Sequence, residues 1–244
     1  MCAKKIKISE SELKYYSPRS RKHEPRQIKF RILVVCEGTK TEKFYFESIE
    51  KEYKQKILYE LDTHGEGVNT VQVVDKAIEL AAKDDYDAVW AVFDKDDFEA
   101  DKFNAAILKA ANHNIGCAWS NESFELWYLY HFKNITTPLK RTDNIRRFEK
   151  AVNESKKYQK EHPKQKYSYG KGDKDTYKNI LLKYGSQESA IMWAEVQSRS
   201  FNDEKYADHK PCTMVFKLVK QLIGADKEFN NLVKKKVDSK SHLS

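Results

Sequence analysis

The first regular pattern along the chain begins at Phe30. The run Phe30-Arg31-Ile32-Leu33-Val34-Val35-Cys36 is nearly continuously apolar and rich in β-branched residues. A half-exposed strand would alternate with period two, so this run predicts a strand buried on both faces of a parallel sheet. Thr39-Lys40-Thr41-Glu42 reads as a capping box, and Tyr45, Phe46, Ile49 and Tyr53 follow at helical spacing. Ile57 to Leu61 is the second strand candidate. After the Gly65-Glu66-Gly67 loop, Val71, Val74, Ala77, Ile78 and Ala81 share one helical face. Ala88 to Phe93 is a third buried strand. A helix carrying Phe103, Ala106, Ile107 and Ala110 leads to a fourth strand, Ile115 to Trp119.

Strands alternating with helices predict right-handed βαβ units and a parallel sheet. Beyond Ser120 the pattern becomes mostly helical, with Trp127, Tyr128 and Phe132 on an apolar face read as core. Pro211 opens a helix with Met214, Val215, Leu218, Val219 and Leu222 inward and Gly224 closing it. The expected fold is α/β, a parallel sheet flanked by helices with a mainly helical C-terminal part. The chain divides into a basic arm (1–28) with few apolar residues, an α/β core (29–132), and a basic, mainly helical extension packing on the core (133–244).

Composition narrows the function. The 244 residues, 40% hydrophobic, are enough for a core that needs no staples. No apolar run is long enough to span a bilayer, and the opening MCAKKIKISE has no apolar signal core, so the expected location is the cytoplasm. Cys2, Cys36, Cys117 and Cys212 form no CxxC pair and the seven histidines show no HxxxH or HxH spacing, which weighs against zinc. The net charge of +8 is unevenly spread. Residues 1–31 carry ten Lys/Arg against three Asp/Glu, 32–132 ten against twenty, 133–178 fourteen against six, and 179–244 eleven against eight. An acidic block between basic flanks reads either as solvated surface charge or as a polyanion substrate held by one part and cut by another.

The acids sit where an α/β sheet places its ligand crevice, at the carboxyl ends of strands. Glu37 follows the first strand and Asp94-Lys95-Asp96 the third. In extended backbone Asp94 and Asp96 point the same way and Lys95 the other. Crowded carboxylates repel unless a cation sits among them, and hard oxygen ligands suit Mg²⁺ or Mn²⁺. Such an ion activates water and stabilises charge on a phosphate. Asp97 and Glu99 read as turn formers. In Ser120-Asn121-Glu122-Ser123-Phe124-Glu125, Ser120 or Asn121 is expected to cap the next helix. Glu125, one turn in, reads either as a fourth metal-facing carboxylate or as an acid favouring a helix N-terminus. Lys40, near a helix start, is the leading cation for phosphate, with Lys171 and Lys174 as alternatives.

Glu after strand one and Asp-x-Asp after strand three resemble the Toprim arrangement of topoisomerases, primases and OLD-family nucleases. More specifically, "ILVVCEGTKTEKFYFESI", "AVWAVFDKDDF", "WSNESFELWYLYHF" and "HKPCTMVFKLVKQL" resemble the RloB family, Toprim-like proteins of bacterial and archaeal defence loci. The resemblance covers about residues 30–223. It implies a divalent-metal core that cuts nucleic acid, with Glu37, Asp94 and Asp96 as metal-binding acids and Glu125 as the added one. It also implies a partner, an ABC-type ATPase encoded nearby. The phrase His209-Lys210-Pro211-Cys212-Thr213 departs from the family's more usual Asn-Pro-Ser-Thr.

Between residues 156 and 178, lysines alternate with tyrosines. Lys164, Lys166, Lys171 and Lys174 would neutralise phosphates, and Tyr167 and Tyr169 would stack on unpaired bases. Gly170 and Gly172 would let the loop close on substrate. The same run also reads as a solvated, mobile loop. The expected function is therefore a Mg²⁺-dependent endonuclease on RNA (including tRNA) or DNA in anti-phage defence. The alternatives are a non-catalytic nucleic-acid-binding subunit and, more weakly, a nucleotidyl-transferring Toprim enzyme.

Overall fold

The computed structural model describes residues 30–53, 59–67 and 69–241. The basic arm 1–28, and Ile57 and Leu58 of the second strand candidate, lie outside them. The chain builds β1 (Phe30–Cys36), α1 (Thr41–Tyr53), β2 (Tyr59–Gly65), α2 (Thr70–Ala81), β3 (Ala88–Val92), α3 (Ala100–Asn112) and β4 (Gly116–Cys117). These four strands form one parallel sheet in the order β2-β1-β3-β4. The α/β expectation, a Toprim-like parallel sheet flanked by helices, is met.

The unbroken apolar run of β1 has its explanation in what lies on the two faces. Ile32, Val34 and Cys36 join the core cluster on one side of the sheet, and Leu33 and Val35 the cluster on the other. In β3, Trp90 and Val92 face the first cluster and Ala91 and Phe93 the second. Period two is hidden because both faces are dry. Each fully buried Val, Ile or Leu contributes about 1.5–3 kcal/mol, and β1 alone buries Ile32, Leu33, Val34 and Val35.

β1 leads through α1 to β2 on one side of the sheet, while β3 leads through α3 to β4 on the other. The strand order therefore reverses between β1 and β3, which opens a crevice at their carboxyl ends. The register levels those ends: Cys36 pairs with Val92, and the Glu37 N–H donates to the Val92 carbonyl at 2.8 Å.

After β4 the chain forms β5 (Ser120–Asn121), α4 (Glu125–Tyr130), α5 (Arg141–Glu154) and α6 (Lys156–Glu161). A π-helical turn (Tyr177–Leu181) runs into α7 (Leu182–Tyr184). Then come α8 (Gln187–Ser198), a 3₁₀ turn (Tyr206–Asp208), β6 (Cys212–Thr213), α9 (Val215–Leu222) and α10 (Lys227–Ser241). Phe148, Tyr177, Leu181, Val215 and Leu218 share one apolar cluster with Ile32, Val34 and Tyr45. Among the described residues no helix is long and apolar enough to cross a membrane.

Four local expectations are corrected. β2 extends through Asp62, Thr63 and His64 to Gly65, because Cys36 and the residues before it offer a full ladder of pairing partners. Ser120 and Asn121 do not cap α4. They pair with β6, where Ser120 Oγ meets Thr213 Oγ1 at 2.8 Å and Asn121 Nδ2 donates to the Ala207 carbonyl at 2.8 Å. Pro211 does not open α9. It precedes β6, and the helix begins at Val215 once that pairing ends, with Val215, Leu218, Val219 and Leu222 buried as expected. Finally, Asp96 is not extended: its φ of 36° lies in the left-handed region, so two-residue alternation cannot aim it.

Candidate functional site: a carboxylate pocket at the ends of β1 and β3

A pocket of about 460 Å³ opens at the strand-order reversal. Glu37, Glu42, Asp94 and Asp96 line it together with Lys40, Arg141 and Lys171. Glu37 leaves the end of β1, and its Oε2 accepts the Asp94 N–H at 3.2 Å. Asp94 is held by a bridge to Ser120, and the next two residues are fixed in turn. The Lys95 N–H donates to the Ser120 carbonyl at 2.8 Å and the Asp96 N–H to the Glu122 carbonyl at 2.9 Å. Asp96 thus reaches the same pocket as Asp94, but through a locked left-handed turn rather than through strand alternation. Lys95 is buried and donates to the carbonyls of Asp96 and Phe98, which keeps it out of the pocket. Asp97 is exposed and Glu99 pairs with Lys102 at 3.0 Å, as turn formers would.

Glu42 is the acid that the sequence reading passed over as half of a capping box. It is buried at the first turn of α1 and lines the pocket. Its carboxylate lies over Gly38, so close that a Cβ there would meet Oε2 at 2.1 Å. The signal was present in the sequence: Glu42 follows Glu37-Gly38 by one helical turn, and the glycine makes room for it. Glu125, at the start of α4, is 1% exposed and stands behind the pocket. Its Oε1 accepts the Tyr169 hydroxyl at 3.4 Å, and its Oε2 has no hydrogen-bond partner among the described residues. The same is true of Asp94 Oδ1.

The charges are strained. Burial pushes Glu37 up to about 7, with Glu42 and Asp96 adding to the rise and the Asp94 N–H and Arg141 opposing it. Burial also holds the Asp94 carboxyl well above the ordinary carboxylate range, and Glu42, Glu125 and Glu37 push the same way. Glu42 is raised by burial and by Glu125, against its own backbone hydrogen bond and the cations Lys171 and Arg141. Arg141 is the second residue missed by sequence. Partial burial lowers its pKa, but Glu125, Asp94 and Asp96 outweigh that and raise it. It ion-pairs with Asp96, and its N–H donates to Glu122 Oε2 at 3.1 Å. No sequence pattern marks it, because it comes from α5, 45 residues beyond Asp96.

An all-oxygen donor set with two orphaned buried carboxylate oxygens suits a hard divalent cation. Glu37, Glu42, Asp94, Asp96 and Glu125 are the residues that could hold one. Among the described residues no three acids, histidines or cysteines stand close enough to share an ion in this arrangement. Sharing one would need side-chain rotations, and Arg141 now supplies the positive charge among them.

The basic segment divides. Lys171 lines the pocket, and Gly172, at φ 84°, packs against the Lys40 side chain, where a Cβ would meet Lys40 Cβ at 2.9 Å. Lys174 lies further along α1, with its carbonyl accepting from Ser48 Oγ at 3.2 Å. Lys164 and Lys166 are exposed and outside the pocket. Tyr167 and Tyr169 are already packed on other rings. Both rings pack on Phe148, at centroid distances of 5.8 and 5.6 Å, and Tyr169 also on Tyr128 at 6.0 Å. They are partly buried against the apolar core, and that packing fixes the rings in place. Cys212 is buried and its thiol is pushed up to about 12 by that burial, so it fills space as a neutral group.

A family model described as RloB-like protein matches residues 32–222. No curated protein and no solved structure matches the chain.

Proposed function

The chain belongs to the RloB-like family, and from that premise we propose that it is a divalent-metal-dependent nuclease of defence systems, hydrolysing phosphodiester bonds of RNA or DNA. One observation carries the reading: four carboxylates, Glu37, Glu42, Asp94 and Asp96, line one pocket with buried Glu125 behind them, three of the lining acids are raised in pKa, and one oxygen each of Asp94 and Glu125 has no partner among the described residues. Carboxylates are not gathered at this cost for stability alone.

Mg²⁺ or Mn²⁺ bound among these acids would supply Lewis acidity and a more acidic bound water. The chain's own cations complete the site. Lys40 and Lys171 line the pocket beside the first turn of α1, where helix N–H groups favour a phosphate. Arg141 can leave Asp96 for a phosphate oxygen and offer two parallel N–H donors to it. Glu37, oriented by the Asp94 N–H on its Oε2, would help hold the ion and position the attacking water. An ABC-type ATPase is the proposed partner.

The test is cleavage of labelled RNA and DNA with Mg²⁺ or Mn²⁺, with and without the neighbouring ATPase. Cleavage should vanish in Glu37→Ala and in Asp94→Asn. Equal cleavage by wild type and both variants would refute the proposal. A second reading, a binding subunit without catalysis, draws support from the Arg141–Asp96 pair, which places a fixed cation among the acids. It expects nucleic-acid binding with no uptake of metal by calorimetry.

A further inference from the structure

We propose that a basic recess on the outer face of α5 is a second nucleic-acid site, which holds the phosphodiester backbone of a strand away from the carboxylate pocket. This rests on the nuclease reading for its ligand class, but on separate residues.

Lys133, Arg146, Arg147 and Lys150 surround a recess of about 390 Å³ whose floor includes Ile135. The size is that of a small-ligand pocket. Its cations are under-neutralised. Glu154 is shared between Lys133 at 2.6 Å and Lys150 at 3.7 Å, Asp143 takes Arg146 at 2.8 Å, and Arg147 has no ion pair among the described residues. Four cations thus face two acids, and every one of these pairs is exposed enough to exchange a carboxylate for a phosphate at little cost. Ile135 lines the recess, where at 6% exposed it offers a sugar or base a small apolar contact, and guanidinium groups stack on bases as lysines cannot. A bare ion would need neither.

The recess is not an extension of the carboxylate pocket. Arg141 opens α5 and faces that pocket, whereas residues 146, 147 and 150 project from roughly the opposite side of the helix. From Arg141 to Lys150 is about 14 Å along the axis, so a strand serving both sites needs more than about four nucleotides. Length dependence is therefore the signature, because a strand that reaches both sites binds the second intramolecularly.

Fluorescence anisotropy without divalent metal would measure binding of labelled strands of about 3 and about 30 nucleotides across a salt series, with the melting temperature of each variant as folding control. In wild type the long strand should bind at least about 10-fold more tightly than the short one. The triple variant Arg146→Ala/Arg147→Ala/Lys150→Ala should lose that gain and lower the salt slope by about 2–3. Arg147→Glu, which breaks no ion pair, should lose at least half of it. A long strand held by both variants with wild-type affinity and slope overturns the proposal, as does a wild type that shows no length gain. Neither result depends on cleavage. Failure of the nuclease reading would appear separately, as recess-dependent binding with no metal-dependent cleavage.

Discussion

The backbone N–H of Asp94 donates to Oε2 of Glu37 at 3.2 Å, so the acid that ends β3 holds the acid that ends β1. The bond exists because the two strands are neighbours in the sheet and end level. It orients Glu37, which lines the pocket. Most of the expected behaviour below follows from this coupling and from the crowding around it.

Gly38 is the first point of leverage. A methyl group there would meet the Glu42 carboxylate, a flexible side chain that can swing away. Gly38→Ala should therefore cost no more than about 1 kcal/mol of stability. It should weaken Mn²⁺ uptake, read by calorimetry, by at least about 10-fold, in line with ligand displacement. Unchanged uptake would remove Glu42 from the acids proposed to hold metal.

Arg141 is expected to stabilise the metal-free protein. Arg141→Ala leaves Asp96, Asp94 and Glu125 without their nearest cation. Since the guanidinium is only partly buried, a loss of about 1–2 kcal/mol is expected by urea denaturation. Added Mg²⁺ should restore more of the melting temperature in the variant than it adds to wild type. Equal gains would mean that Arg141 and the ion do not compete for the same charge.

Stability should depend on pH in two opposed ways. Glu37 holds its proton up to about 7 when folded but only to 4.5 when unfolded. The folded state therefore binds more protons between those values, and stability falls as pH rises through that window. Asp94 and Glu42 act in the same direction. His131 is opposite: burial lowers it from 6.5 to about 4, so the unfolded state gains the proton first and stability falls as pH drops below 6.5. Glu37→Gln should make metal-free melting temperatures rise with pH between 5 and 7 more steeply, or fall less steeply, than in wild type. An unaltered profile would show that Glu37 titrates normally.

Tyr169 separates packing from stacking. Its ring lies against Phe148 and Tyr128, so Tyr169→Ala should cost about 3 kcal/mol in denaturant unfolding. Tyr169→Phe keeps the ring packing and should cost less, about 1 kcal/mol, from the hydroxyl that Glu125 loses. A Tyr169→Ala protein with undiminished stability but weakened nucleic-acid binding would restore the stacking role.

Glu37 and Asp94 were legible because a buried strand in a parallel sheet announces itself as an apolar run, and its end is where a crevice opens. The helices of α2 and α3 were legible for the same reason, each having one dry face. Where a residue's role depends on its own segment, the sequence was sufficient. It failed where partners are distant. Ser120 and Asn121 looked like caps because the pairing with Cys212 and Thr213 spans some ninety residues. Tyr167 and Tyr169 looked available because nothing local reveals Phe148 beneath them.

By itself, then, the sequence determined the α/β sheet, the carboxyl-end position of Glu37 and Asp94, and the charge contrast between the acidic block and its flanks. These follow from periodicity and composition, which are properties of contiguous residues. Only the tertiary structure decided that Glu42 belongs with the acids, that Asp96 arrives through a left-handed turn, that Arg141 stands among them, and that α5 presents a second cationic face. Each of those depends on the free energy of bringing charges and rings together from separate segments, which burial and packing settle only once the chain has closed on itself.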